Sequence, residues 1–285
     1  LARGIRVTGS ELIGLVPKKA LLEAGEYFLK KQERSLGLHE EEVLKIAVKS
    51  LGLDELAPFN VRERIIEYVL EDRLSDSSKL VDLNLKEFAH ETAAESPAPG
   101  GGSISAYVGA LGVSLGTMVA NLSAHKRGWD DKWEYYSEWA VKGQQYKQRL
   151  TELVDEDTEA FNQIMAAFGL PKGSEAEKEA RKQAISDATK GAILIPLEVM
   201  KNAADSMEVM LEMSQTGLEA SISDAGVGAL CARTAVRGAW LNVRINAKDL
   251  NDQSFIDDVM NEASAYMSKA DELESKIIGF VEDKI

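Results

Sequence analysis

A stretch of small residues, with larger apolar side chains at regular intervals, constrains the fold of this chain most strongly. Between Ser103 and His125 the large side chains recur every three or four positions, which is the spacing of one helix face. These side chains are Tyr107, Val108, Leu111, Leu115, Met118, Val119 and Leu122. Glycine, alanine and serine lie between them. The stretch predicts a long helix whose neighbours can approach it closely.

The rest of the chain divides into a mixed N-terminal block and a helical remainder. Residues 4–16 are mostly branched and apolar, which predicts a strand with a turn, and helical patterns follow over 17–32 and 39–50. Residues 59–70 form another short element. A polar segment then predicts a linker.

From residue 85 onward the pattern is helical, with no convincing strand. The segments are 85–92, 103–125, 130–168 (kinked or interrupted), 175–202, 207–214, 218–247 and 255–280. Pro196 predicts a kink or break. We predict a mainly α protein: a small α+β block over 1–73, a linker over 74–84 and an all-helical bundle over 85–285.

Composition limits the partners of the chain. A net charge of −14 over 285 residues argues against a general nucleic-acid binder, which needs a basic face. The single cysteine, Cys231, excludes an internal disulfide and a multi-cysteine zinc site, and fits a cytoplasmic protein. We find no apolar run of transmembrane length and no signal peptide, so we expect no membrane partner. The chain begins with Leu1, and we expect its true start to be missing.

Three consecutive glycines open the small-residue helix. Gly100, Gly101 and Gly102 leave the backbone bare, so its N–H groups can approach a ligand, and the helix start carries a partial positive charge. The alternative is a turn and helix start capped by Ser103. A dinucleotide fingerprint or P-loop is excluded, because the preceding strand and the later glycine or lysine are missing.

An acidic run further along supplies a candidate carboxylate. Asp157 precedes Phe161 by four residues, so it projects close to the apolar face of its helix. A carboxylate beside an apolar groove has its charged form disfavoured, which can tune it for acid–base work. The alternative is a surface acidic patch.

Three further groups of polar residues are candidates for ligand contact. Asp224 precedes a second small-residue helix, and Asn242 and Asn246 are spaced i, i+4 between apolar residues of that helix. The two amides bond either a ligand or the backbone. Lys126 and Arg127 follow the glycine-started helix, where cations suit either the helix dipole or ligand carboxylates. The isolated histidines suggest no metal site.

Together these residues resemble the formiminotransferase-cyclodeaminase family. The cyclodeaminase resemblance rests on the order and spacing of Ala98–Ser103, Leu153–Phe161, Leu170–Lys172, Ile195–Leu197, Ser223–Asp224 and Asn242–Asn246. Residues 9–22 and 58–68 are similar to the tail of the formiminotransferase domain. The resemblance implies an incomplete transferase domain followed by a complete cyclodeaminase domain. The histidine-bearing part of the transferase is expected upstream of Leu1.

The resemblance also implies a reaction and a set of site residues. It implies an ammonia-lyase that converts 5-formiminotetrahydrofolate to 5,10-methenyltetrahydrofolate, in a bifunctional protein of histidine degradation. Asp157 matches the proposed catalytic aspartate of the family. The resemblance assigns backbone binding of the folate to Gly100, Gly101, Gly102 and Ser103. It assigns contacts with the pterin or the amidine to Asp224, Asn242 and Asn246. It assigns the glutamate tail to Lys126 and Arg127.

The resemblance implies no metal, no cofactor beyond the tetrahydrofolate substrate, and a homodimer or a ring of dimers. One alternative is a methenyltetrahydrofolate cyclohydrolase on the same scaffold, which would add water to a similar folate. Another is a non-catalytic oligomerisation module. The transferase-like segment favours the deaminase, because the product of the transferase is the substrate of the deaminase.

Overall fold

The computed structural model describes residues 10–74, 79–248 and 250–285, and these form ten α-helices with short 3-10 turns between some of them. Their bounds are α1 Lys18–Lys31, α2 Glu40–Leu51, α3 Val61–Arg64, α4 Ile66–Leu74, α5 Leu85–Thr92, α6 Gly101–Ala124, α7 Trp133–Phe168, α8 Glu175–Thr216, α9 Ile222–Ala247 and α10 Gln253–Glu282. The prediction of a mainly α fold is therefore confirmed.

The helices pack as two compact units. The first contains the described residues up to 74 together with Asn121–Val141, and the second contains Lys79–Ala120 with Lys142–Ile285. The first unit has its own apolar core, built on α1, α2 and the segment that joins α3 to α4. Its buried residues include Leu21, Leu44, Ala47, Val48 and Ile65.

The predicted strand over residues 4–16 is wrong where the structure describes it. Residues 10–15 are irregular, and Val16 makes only an isolated bridge with Ile65. Its N–H donates to the carbonyl of Arg64, and its carbonyl accepts from Ile66. A lone bridge has no ladder to extend, so the branched apolar residues here do not form a sheet. Residues 4–9 lie outside the described part of the chain.

Small residues bring α6 against its neighbours in the second unit. A methyl group built on Gly112 would lie 2.7 Å from the carbonyl oxygen of Gly228 on α9, and the reverse substitution gives the same distance. Gly109 lies beside Ala235 of α9 and Leu150 of α7. The order of these contacts makes α6 antiparallel to both helices. The close approach predicted from the small residues is confirmed.

Two helices run without a break where the sequence predicted a kink or a break. α7 continues from Trp133 to Phe168, and α8 continues through Pro196 to Thr216, joining two segments that the sequence had separated. Proline removes one helical hydrogen bond, but α8 buries Ile193, Met200, Met207 and Met210 completely. Burial of this apolar face stabilises the helix enough to offset the missing bond.

One expectation about membranes also needs correction. α6 is long and apolar enough to cross a membrane by length and composition, because its small polar residues do not lower its hydropathy enough. However, 61% of its most apolar window is buried inside the protein. That burial is typical of a core helix.

Candidate active site

The first turn of α6 packs directly against the carboxylate of Asp157. A side chain on Gly102 would overlap this carboxylate, so the contact requires a bare Cα at that position. α7 supplies Asp157 from the stretch in which Leu153 and Val154 are fully buried. Because α6 and α7 run antiparallel, the N-terminus of one meets the C-terminal half of the other. The glycine run and the aspartate therefore share one site.

Ser103 holds the carboxylate through two hydrogen bonds. Its backbone N–H donates to Oδ2 of Asp157 over 2.8 Å, and its hydroxyl donates to the same oxygen over 2.9 Å. Ser103 is fully buried, and its hydroxyl lies 3.4 Å from that of Thr158. Within the described part of the chain, Oδ1 of Asp157 has no hydrogen-bond partner. One oxygen is thus anchored while the other is available to a ligand.

Burial and hydrogen bonding have opposite effects on the pKa of Asp157. Burial raises the pKa of the carboxyl above its usual value, and the two bonds from Ser103 lower it. Burial is the larger effect, so the net shift of the pKa is upward. A carboxyl with a raised pKa can both accept and return a proton nearer to neutral pH. This is the property expected of a general acid–base group.

Asn242 and Asn246 reach the same site from the C-terminal half of α9. The amide nitrogen of Asn242 donates to the carbonyl of Gly238 over 3.0 Å, one turn back on the same helix. The amide nitrogen of Asn246 donates to the carbonyl of Ala192 on α8 over 2.7 Å. Neither amide oxygen has a partner among the residues that the structure describes. Each side chain is therefore held by the backbone and keeps an acceptor for a ligand.

These groups surround a cavity of about 140 Å³. Its polar wall consists of the first two glycines of the run, Gly100 and Gly101, with Asp157, Thr158 and the two asparagines, and its apolar wall includes Phe161 and Ile164. The volume is below the roughly 300–1,000 Å³ of pockets that enclose a drug-sized ligand. The cavity can enclose the reacting end of a larger molecule, with the remainder outside it.

Asp224 lies away from this cavity. It is in the first turn of α9, so the rise of the helix separates it from Asn242 by about 27 Å. One chain therefore cannot use both residues on the same pterin or amidine group. The sequence pattern grouped them because each belongs to a polar motif, but the two motifs lie at opposite ends of α9.

Lys126 and Arg127 are also absent from the cavity wall. They follow the C-terminal end of α6, a helix of 24 residues that is about 36 Å long, and its other end forms the site. Lys126 lies in the first unit, with its ammonium group 4.0 Å from the centre of the Trp129 ring. Their assignment to the glutamate tail stays a prediction.

Thr158 and Ala192 are site residues that the sequence did not single out. The signal for Thr158 was its place beside Asp157 in the acidic run. Ala192 contributes a backbone carbonyl, which no side-chain pattern reveals. The described residues contain no group of three or more His, Cys, Asp or Glu arranged to hold a metal ion.

The described residues define a mainly helical protein with a small-molecule site, in which a buried carboxylate packs against a glycine-rich helix start. Family models match the chain in two places: Formiminotransferase-cyclodeaminase over residues 84–265 and Formiminotransferase domain over residues 1–71. The chain belongs to the formiminotransferase-cyclodeaminase family.

Individual relatives support this membership. The formimidoyltransferase-cyclodeaminase of Rattus norvegicus is 36% identical over 97% of this chain and 51% of its own length. A methenyltetrahydrofolate cyclohydrolase of Methylorubrum extorquens is 34% identical over 70% of this chain and 97% of its own length. The chain thus spans about half the length of the formimidoyltransferase-cyclodeaminases that it matches.

A solved structure shares the helical fold. The crystal structure of formiminotetrahydrofolate cyclodeaminase from Thermotoga maritima matches with a TM-score of 0.62 and 27% sequence identity. The match covers 70% of this chain and 96% of that protein.

Proposed function

We propose that this chain carries a formimidoyltetrahydrofolate cyclodeaminase, which converts 5-formiminotetrahydrofolate to 5,10-methenyltetrahydrofolate and releases ammonia. The observation that carries the proposal is the carboxylate of Asp157, which Ser103 fixes at one oxygen and which belongs to the wall of a cavity. Family membership and the Thermotoga maritima neighbour support it. The segment that matches the transferase model also supports it, because that activity would supply the substrate.

A single carboxyl group can complete this reaction. N10 of the folate attacks the carbon of the protonated, positively charged amidine, and the carboxylate of Asp157 takes the proton from N10. The resulting carboxylic acid then protonates the amino group, the C–N bond breaks, and ammonia leaves with the positive charge retained on the methenyl product. The protons balance without a metal or redox cofactor, so we propose that no cofactor is needed beyond the tetrahydrofolate substrate itself. Holding N10 against the carbon supplies further acceleration.

Removing the acid–base group is the direct test. We expect Asp157→Asn to lower ammonia release about 10²- to 10⁴-fold. Asparagine keeps an oxygen for the Ser103 N–H, so the thermal unfolding midpoint should not fall. Release of ammonia is followed together with the absorbance change of methenyl formation. Unchanged turnover by the variant would show that Asp157 is not the acid–base group.

A methenyltetrahydrofolate cyclohydrolase is the second candidate, and the Methylorubrum extorquens relative is the observation that favours it. In that reaction Asp157 would accept a proton from water as it adds to the methenyl carbon. The same assay separates the two activities, because only the deaminase releases ammonia. A protein that neither binds nor converts either folate would be an oligomerisation module instead.

We propose a homodimer, or a ring of dimers, as the assembly. α9 leaves Val227, Leu230, Leu241 and Ile245 largely exposed, and α6 does the same with Leu111. Apolar side chains spaced along one helix are typical of an interface between copies. Light scattering coupled to size-exclusion chromatography measures the assembly, and a monomer at micromolar concentration contradicts this part of the proposal.

We also propose a cytoplasmic location and a place in histidine degradation. A single half-buried cysteine suits a reducing compartment. The formimino group of the proposed substrate is the link to histidine. Fractionation of the source cells and growth on histidine after deletion of the gene test these two statements.

A further inference from the structure

Pro196 is a helix-interior proline whose effect reaches the candidate site. It has no N–H, so the carbonyl of Ala192, four residues earlier on α8, receives no hydrogen bond from position 196. The proline ring also pushes the carbonyl of residue i−4 away from the helix axis. An unpaired carbonyl in a buried position is costly, and Ala192 is buried. This carbonyl therefore needs a donor from outside α8.

Asn246 supplies that donor. Its amide nitrogen lies 2.7 Å from the oxygen of Ala192, and both residues line the cavity. A carbonyl can only accept, so the nitrogen of the amide, and not its oxygen, must face Ala192. This fixes the orientation of the amide and leaves Oδ1 of Asn246 as an acceptor. The missing N–H of Pro196 on α8 thus determines the orientation of the Asn246 amide on α9.

The site now contains three oxygens without partners in the described residues: Oδ1 of Asp157 and the amide oxygens of Asn242 and Asn246. All three residues line the same cavity. Acceptor oxygens, one of them charged, favour a ligand that presents N–H groups, above all a cationic one. A ligand with an oxygen in place of the N–H group would face these acceptor oxygens and could form no hydrogen bond with them.

We infer that Asn246 selects ligands bearing an N–H group at the reacting carbon, and that Pro196 is the positioning residue that orients it. This inference rests on the proposed function, because the formimino group is the N–H group in question. Its chemical counterpart is the formyl group, in which an oxygen replaces the nitrogen. 5-Formiminotetrahydrofolate and 5-formyltetrahydrofolate are therefore a matched pair of probes.

The test compares the affinities of the two folates by calorimetry. All proteins carry Asp157→Asn, which slows the consumption of bound substrate and removes the charged carboxylate, so that the comparison tests the asparagine oxygens. We expect the parent to prefer the formimino compound, and Asn246→Ala to reduce that preference about 10- to 100-fold. Pro196→Ala should reduce the preference in the same direction while raising the thermal unfolding midpoint, because it restores an N–H to α8. A merely structural role would not move affinity and stability in opposite directions.

A double variant and a control complete the design. If Pro196 acts through Asn246, Pro196→Ala adds nothing to the effect of Asn246→Ala. Asn202→Ala is the control, because Asn202 donates to the carbonyl of Glu198 and does not line the cavity. It should leave the preference unchanged. Additive effects of the two site variants, or an unchanged preference in either, would overturn the inference.

The outcome is independent of the proposed reaction. Ammonia release is measured separately with Asp157 intact. A protein that releases no ammonia but loses its preference through Asn246→Ala contradicts the proposed function and supports this inference. A protein that releases ammonia, but whose preference between the two folates does not change in Asn246→Ala, supports the proposed function and contradicts this inference.

Discussion

At the scale of single residues, the site depends on the balance around one carboxyl group. Burial raises the pKa of Asp157 and the bonds from Ser103 lower it. The upward shift of the pKa comes from burial by the fold as a whole. The downward shift comes from the hydroxyl and the backbone N–H of Ser103. A substitution at Ser103 can therefore change one effect and leave the other in place.

Ser103→Ala should move the pH dependence of the reaction upward. It removes the hydroxyl bond that stabilises the charged carboxylate, so the pKa of Asp157 rises further. The carboxylate is the form that takes the proton from N10, so activity increases as pH rises through this pKa. We expect the acidic limb of the kcat/KM profile to shift to higher pH. A limb that stays in place, or moves to lower pH, contradicts this assignment of the proton acceptor.

At the scale of elements, the sequence predicted helices better where their ends are locally encoded. Gly52 ends α2 in the left-handed conformation, and Ser174 begins α8 with a capping box. α8 does not break at Pro196, because the packing that supports it comes from residues far along the chain, whereas the predicted alternative of a kink stays a prediction. The same limit applies to the site. The glycine run and Asp157 carry recognisable patterns, whereas the bond between Asn246 and Ala192 depends on which helices meet.

The contact between α6 and α9 gives an element-scale prediction. Gly112→Ala should destabilise the protein by about 1–3 kcal/mol, because the new methyl group overlaps the backbone of α9. Gly279→Ala on α10 is the control, since a methyl group there meets nothing within 4 Å. It should stabilise the protein by about 0.5–1 kcal/mol through the helix preference of alanine. Urea denaturation of both variants measures the difference, and equal effects would contradict the close contact.

At the scale of the whole molecule, ion pairs join the long helices of the second unit. Arg149 on α7 bonds Glu198 on α8 over 2.7 Å, and the same guanidinium bonds Glu156. These bonds hold the pKa of Glu198 below its usual value of 4.5. The pair therefore contributes stability above that pH, and the contribution is lost as the pH falls through the lowered pKa.

Acid sensitivity tests this contribution. The thermal unfolding midpoint of the native protein should fall as the pH drops below the usual glutamate pKa of 4.5, and the fall should be smaller in Glu198→Gln, which has no proton to gain. Glu179→Gln, at an exposed position on the same helix, should follow the native curve. Parallel curves for the native protein and Glu198→Gln would show that the pair adds no pH-dependent stability.

The membership of Asn121–Val141 in the first unit has a consequence for how the protein is made. The backbone N–H of Leu36 donates to the hydroxyl of Ser137, and the side chain of Asn121 donates to the carbonyl of Gly37. Residues 35–37 leave the ribosome about a hundred residues earlier than these partners. Synthesis proceeds at roughly 5–20 residues per second. The early segment must wait several seconds for them. A gene cut between the two family matches would leave these late partners behind, so the halves should be expressed together rather than separately.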